Sequence, residues 1–424
     1  MASLSLGSLL MLGLLVLGGL LLQAQLAELR SGERQLRTLQ AREAAEAGLA
    51  WARVQLNHPP LTVPGLCPAP GLRDHLLQIP VGTGPLLPQP LHPPPRAACR
   101  LDPEGPVCDC PPPASGQLPA VAGSSPGFSV RPQALAASAA AAGAMLLRIE
   151  GCSETRPSCL GGSGEEAGAR AGLTVGFQAR PLLLRLPRAA LTAGGRVRLC
   201  APGRLENPEP AAGGLLVHAG LALARPGAAG GLPPCPADLL VCVSPPCPGL
   251  LLQGLAGQPV WDTLIGPDAG LATQLASFEA LSLHLFGLDV PRLRQAPGMV
   301  RLASSDATGL LPLRVSQGAR RLWVEGPLTL NAPGDLGSAT SPLLLVVEGA
   351  VHWQGGGRLF GLLVADSLNV AGGPAEAELQ GAVLLRGDHE ALGPLRVRYD
   401  SALLLRLRAQ SSLLLPVAGS LRDF

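Results

Sequence analysis

The first 27 residues, MASLSLGSLLMLGLLVLGGLLLQAQLA, carry no charge, and the first ionisable side chain is Glu28. About 20 such residues, rising 1.5 Å each as a helix, span the hydrocarbon of a bilayer. A single transmembrane segment is therefore predicted over 1–27, with membrane lipid as its surroundings. The following stretch, LRSGERQLRTLQAREAAEAGLAWARVQLN, has no proline before Pro59 and Pro60. The helix should therefore run on as an extramembrane continuation over 28–58, carrying an Ala44, Ala47, Trp51 stripe and softened at most at Gly18 and Gly19. A cleaved signal peptide is the alternative. Its apolar core is shorter, it starts with basic residues, and irregular sequence follows its cleavage site, whereas here the helical pattern continues.

Beyond the helix, 54 glycines and 44 prolines in 424 residues call for many turns between short strands, and 47% hydrophobic residues are ample for a core. A net charge of +2 sets up no single-sign field, and 3% aromatic residues are too few for stacked bases, so nucleic acid is not an expected partner. All basic residues are Arg and Ile is scarce beside Leu, which reads as the codon usage of a GC-rich genome.

Ten cysteines all follow the predicted anchor and sit in Pro- and Gly-rich sequence, the pattern of disulfides made in an oxidising compartment such as the periplasm. Cys152 and Cys159 flank SETRPS, and Cys242 and Cys247 flank VSPP, which makes both pairs candidate local bridges. A zinc site would need CxxC pairs or suitably spaced histidines; Cys108 and Cys110 are too close and His92 is isolated by prolines. No metal or cofactor is expected.

Residues 59–187 read as a Pro/Gly-rich, Cys-containing head, loop-like as far as 125. Three alternating segments, Phe128–Val130, Met145–Ile149 and Leu173–Phe177, should then form a small antiparallel sheet against the helix. A nine-residue template, apolar at positions one, three, seven and nine with a small or turn-forming fifth residue, begins at Leu215, Leu322, Leu345 and Leu362, and Ala382-Val-Leu-Leu follows. Rungs of about 20 residues predict a parallel β-solenoid. Its first strands lie in 188–225 and its main body in 321–400, with Val324, Val347 and Val364 as one inward ladder. Between them, 226–320 reads as an insertion with a cysteine cluster and a helix through Leu271, Leu275, Phe278, Leu281 and Leu285. Residues 401–424 form a C-terminal helix and tail. The fold class is thus α+β: a long N-terminal transmembrane helix with a small antiparallel sheet, then a C-terminal parallel β-solenoid.

Glu325 and Glu348 take the fourth template position on successive copies, with Asp366 nearby. Paired carboxylates on a β-helix suit polysaccharide cleavage. No basic residue completes the set at equivalent template positions, so a solvated turn column is the simpler reading. Asp388-His389-Glu390 lacks metal-ligand spacing, and Gly355-Gly-Gly357 lacks the Lys and Ser/Thr of a phosphate loop. Trp323 and Trp353 read as packing residues. No nucleophile, base and oxyanion set can be assembled, so no catalytic residue and no enzymatic activity is expected.

Glu33-Arg34 followed by Ala44-Ala-Glu-Ala-Gly-Leu-Ala-Trp51 after an apolar span resembles the N-terminal region of PilX-type minor pilins, which serve type IV pilus assembly. LTAGGRVRL, GGLLVHAG, FGLDVPRLRQAP, VVEGAVHWQGGG, FGLLVADSLNV, LQGAVLL, the Tyr399-Asp400 pair and PVAGSLRDF look like a long PilX-like subgroup of high-GC bacteria. The resemblance covers most of the chain, and none of its motifs is catalytic. It implies a single-pass inner-membrane subunit with a periplasmic head, able to enter cell-surface pili. Its helix would contact other minor pilins and the major pilin, and its head a PilY-type tip adhesin. Pilin helices often carry Glu near their start, whereas Glu28 is the first acid here, and Leu421 replaces a usual aromatic. The resemblance also implies a short basic leader. Arg30, Arg34 and Arg37 all follow the apolar run and would favour the opposite orientation, so that leader is expected upstream of a truncated start. A minor pseudopilin of type II secretion and a membrane-tethered solenoid that binds or cleaves a surface polysaccharide are the alternative readings.

Overall fold

The computed structural model describes residues 2–57, 73, 77–78, 87–88, 97–109, 125–133, 144–154, 168–199, 203–224, 241–242, 250–331, 333–371, 376–390 and 395–423. Helix α1 runs unbroken over Ala2–Asn57, as a proline-free stretch allows. Among the described residues no helix is long and apolar enough to cross a membrane. The span expected over 1–27 is therefore not found among the described residues.

The last turns of α1 lie on an antiparallel sheet. Its strands are β1 (Ala97–Asp102), β2 (Gly105–Asp109), β3 (Gly127–Gln133), β4 (Ala144–Cys152) and β5 (Arg170–Arg180). Period-2 alternation turns Met145, Leu147 and Ile149 inward, where they join Phe128, Val130, Val175 and Phe177 in one core with Ala45, Trp51, Ala52 and Leu56 of the helix. The hairpin β1–β2 falls within 59–125, which the sequence reads as loop. Asp102-Pro-Glu-Gly105 makes its turn, and Gly105 takes the positive φ of 129° that glycine adopts without penalty.

All remaining long strands are parallel. They are β6 (Leu191–Ala193), β7 (Gly203–Glu206), β8 (Val217–Ala219), β9 (Leu250–Gln253), β10 (Leu264–Ile265), β11 (Val300–Ala303), β12 (Arg321–Glu325), β13 (Leu328–Asn331), β14 (Leu343–Val347), β15 (Ala350–Gln354), β16 (Gly357–Ala365), β17 (Ser367–Ala371), β18 (Ala377–Leu385) and β19 (Leu395–Tyr399). One sheet runs β11-β12-β14-β16-β18, and a second, β13-β15-β17, lies beside it. At β18 the sheet divides. Its first half pairs with β19, which leads to β7 and β9, and its second half pairs with β6, which leads to β8 and β10.

The layer next to β18 is therefore built from two distant stretches of chain. The chain enters the stack at this layer with β6 and advances to one end at β9 and β10. Helices α2 (Ala269–Gln274), α3 (Phe278–Phe286) and α4 (Val290–Arg294) then lead to the opposite end at β11. From there, through α5 (Ser304–Ser316), the chain returns layer by layer to β19. Helix α6 (Ser401–Gln410) follows, and β20 (Leu413–Pro416) and β21 (Arg422–Asp423) rejoin the antiparallel sheet as neighbours of β5. The parallel part is thus inserted between adjacent antiparallel strands, and the stretch 226–320 contributes β9, β10 and β11 to the stack.

Two registers differ from the template. Val324 pairs with Val347, but Val364 pairs with Val346, one residue out of the expected ladder. Val217, two residues beyond the expected start of its copy, pairs with Leu191. The runs LLLVV and GLLVA are buried on both faces, so hydrophobic alternation cannot fix the phase there, and one residue of slip exchanges the faces. The helical run expected through Leu271 to Leu285 is two helices, α2 and α3. Ser277 caps α3 at its start and Gly287, at φ 65°, ends it.

Candidate functional site

The most unusual surface of the molecule is the shaft of α1. Every residue from Leu15 to Leu36 is exposed. Leu15, Leu22 and Leu29 are 72, 60 and 71% exposed, and Val16, Leu17, Leu20, Leu21, Leu26 and Leu36 are comparable. Such a density of apolar side chains on one helix, on all its sides, is what membranes or partner subunits cover. From Glu28 on, the shaft is charged as well, with Arg37 bonded to Glu33 at 2.6 Å and Arg42 to Glu46 at 3.3 Å, each one turn apart.

Small residues seat the root of this helix. Ala41, Ala44, Ala45, Gly48, Trp51, Ala52 and Leu56 are buried, while Ala47 of the expected stripe is half-buried. A Cβ at Gly48 would lie 2.8 Å from Ile149 and Phe128. At Gly151 it would lie 2.1 Å from the Ala41 carbonyl oxygen and 2.3 Å from the Ala45 nitrogen. The AAEAGLAW segment is therefore the face that lets helix backbone touch strand β4, and Trp51 closes it by a tilted contact with Phe128 at 5.7 Å.

The C-terminal end of α1 is tied to the rest of the molecule by polar groups that sequence reading passed over. The Asn57 amide donates to the carbonyls of Arg53 and Leu414, both at 3.0 Å, and its Oδ1 accepts from the Leu414 N–H at 2.8 Å. Arg321, on β12, is buried and donates to the carbonyls of Asn57 at 2.6 Å and Ser411 at 3.3 Å. Arg73 donates to those of Leu56 at 2.9 Å and Gln410 at 3.1 Å. The C-terminal ends of α1 and α6 thus converge on two guanidinium groups, which supply donors and positive charge where two helices end in unpaired carbonyls. Burial, helped by the Arg73 charge, pushes the Arg321 guanidinium down to about 9. Gly298, at φ 76°, leaves the room: a Cβ there would lie 2.1 Å from Arg321 Nη2 and 2.2 Å from the Asn57 carbonyl oxygen.

The carboxylates singled out from the template are engaged by arginines. Arg301 bonds Glu325 at 2.6 Å, Arg386 bonds Asp366 at 2.5 Å, and Arg294 bonds both oxygens of Glu348. None of these partners sits at an equivalent template position: Arg301 comes from β11, Arg294 from α4, and Arg386 from the residue after β18. Hydrogen bonding to Glu348 raises the Arg294 pKa, and the same guanidinium lies 5.6 Å from the centre of the Trp323 ring, with Phe278 edge-on to that ring at 5.8 Å. Trp323 and Trp353 are both fully buried and serve packing.

Cys99 and Cys108, opposite each other across the β1–β2 hairpin, form a disulfide. They are placed symmetrically about the Asp102–Gly105 turn, the signal that could have found them. Cys152 is also disulfide-bonded. Cys159 and Cys247 lie outside the described residues, as does the side chain of Cys242.

Within Asp388-His389-Glu390, Asp388 accepts the Arg196 N–H at 2.6 Å and His389 is buried. Burial pushes the imidazole down to about 4, opposed only in part by a hydrogen bond to the Leu368 backbone. Between pH 6.5 and 4 the unfolded chain therefore binds a proton that the folded one does not, so folding stability falls as pH falls through that window. The loss is expected to reach about 3 kcal/mol at pH 4. Denaturant titrations across pH should give a flatter acid limb for His389→Leu than for the parent, and parallel limbs would refute the assignment.

No family model matches this sequence, and neither does any curated protein. Among solved structures, the competence-associated pilin ComZ from Thermus thermophilus aligns with 91% of this chain and 97% of its own, at 11% identity. The TM-score of that alignment is 0.21.

Proposed function

We propose that this chain is a structural, non-enzymatic subunit of type IV pilus assembly, a minor pilin of the PilX type that helps to start or stabilise the fibre. The observation that carries this reading is a helix whose apolar side chains are exposed on all sides of its shaft while its root is buried against a folded sheet. The shaft needs a cover. In the inner membrane, residues 1–27 are covered by lipid as a single span, and the charged continuation leads to a periplasmic head. In a fibre, the same leucines pack against the helices of the major pilin and other minor pilins. The parallel layers form a β-solenoid that presents an outer surface to partners, including a PilY-type tip adhesin. Disulfides suit the oxidising compartment in which the head folds.

The test is genetic. Deleting the gene in the bacterium that encodes it should reduce surface pili and twitching. A copy lacking residues 2–27 should fail to restore them, and a copy with Glu325→Gln and Glu348→Gln should restore both, since those carboxylates only pair with Arg301 and Arg294. Normal piliation in the deletion strain, with glycan cleavage that the Gln variants abolish, would overturn the proposal in favour of a polysaccharide-cleaving solenoid.

A further inference from the structure

Two of the parallel sheets, the long one and β13-β15-β17, differ in what they turn outward. On β13, β15 and β17, Leu328, Leu330, Val351, Trp353, Leu368 and Val370 are buried. The alternate residues face out in register. Thr329 pairs with His352 and His352 with Asn369, Asn331 pairs with Gln354 and Gln354 with Ala371, and Ala350 pairs with Ser367. None of these eight is Arg, Asp or Glu.

The other sheet and its turns carry Arg301–Glu325, Arg358–Asp335, Arg386–Asp366 and Arg396–Glu206 ion pairs. There the charges of all eight residues are thus paired within the protein. Here His352, Gln354 and Asn331 are exposed, and among the described residues the side chains of Thr329, Asn331, His352, Gln354 and Asn369 make no hydrogen bond.

We infer that this face is a docking surface for an uncharged, hydroxyl-rich polymer, a neutral polysaccharide lying along the stack. Amide, hydroxyl and imidazole groups can donate and accept, as sugar hydroxyls do, and they recur here in register about 4.8 Å apart from strand to strand. A neutral chain can displace water from this grid and replace its hydrogen bonds without stranding any ion of the protein. An acidic polymer or nucleic acid would find no cation in these rows. The inference goes beyond the pilus reading and does not require it.

The full-length chain, held in detergent micelles, should be tested on an array of immobilised neutral and acidic oligosaccharides. Retention on neutral glycans is expected. His352→Glu and Asn369→Asp, which place a charge mid-grid, should each weaken it at least tenfold with an unchanged thermal midpoint, whereas Glu206→Gln, on the other sheet, should leave it intact. Retention of no neutral glycan, retention of acidic glycans alone, or parent-level binding by both grid variants would overturn the inference. Piliation by the same variants is a separate readout, so failure here leaves the pilus reading standing and the reverse also holds.

Discussion

Replacing Arg321 with leucine is expected to lower folding stability by about 3 kcal/mol, through the carbonyls of Asn57 and Ser411 that lose a charged donor in a buried site. Two effects compete. Removing a buried guanidinium relieves its desolvation, and that relief has made some buried ion pairs dispensable when apolar residues replace every partner. Here the partners are backbone carbonyls at the ends of two helices and cannot be replaced, so the loss of hydrogen bonds outweighs the relief. Arg321→Lys, which can reach one carbonyl, should fall between parent and Arg321→Leu. Urea midpoints would rank the three, and hydrogen exchange should rise first in the last turn of α1. A midpoint for Arg321→Leu equal to or above the parent would show that Asn57 and Arg73 suffice.

Gly151→Val should be at least as damaging. The added Cβ would meet helix backbone at 2.1 Å, and main chain cannot rotate aside as a side chain does, so α1 must lift from β4. Overpacking commonly costs about 1–3 kcal/mol, and a backbone obstacle places this variant at or beyond the upper limit. The expected result is loss of the Trp51 fluorescence signature of a packed ring and protease sensitivity between α1 and the sheet. Native-like protection of the 41–57 segment in Gly151→Val would show that the helix seat is more forgiving than its glycines suggest.

The parts of the molecule that could be read from the sequence are those whose partners are close in the chain or whose pattern admits one phase. Helix α1, its small-residue root and strands β3 to β5 were legible because 3.6- and 2-residue periods fix which side chains face inward. Val364 was placed one residue out because the strands around it are apolar on both faces. The grip of Arg321 on Asn57 was invisible: 264 residues separate them, and an arginine before Leu322-Trp-Val carries no local sign that its charge is buried. The Arg294–Glu348 bond was missed for the same reason, a partner supplied by a helix outside the repeating pattern.

The layer shared by β6 and β19 sets a timetable for the newly made chain. Leu191 and Val383 are neighbours in the sheet, and so are Gly203 and Leu395. When the first part of the parallel unit emerges from the ribosome, β6 to β10 can find each other, but their inner edge has nothing to pair with until residues 377–399 have been synthesised. During that interval the edge exposes unpaired N–H and C=O groups, a template for wrong partners. Closing the layer joins contacts of high sequence separation, the kind that make folding slow. The antiparallel sheet waits longer still, because β20 completes it only after the whole stack has been made. A chaperone that shields this edge, rather than one that holds the helix, is what the biogenesis of such a head would most need.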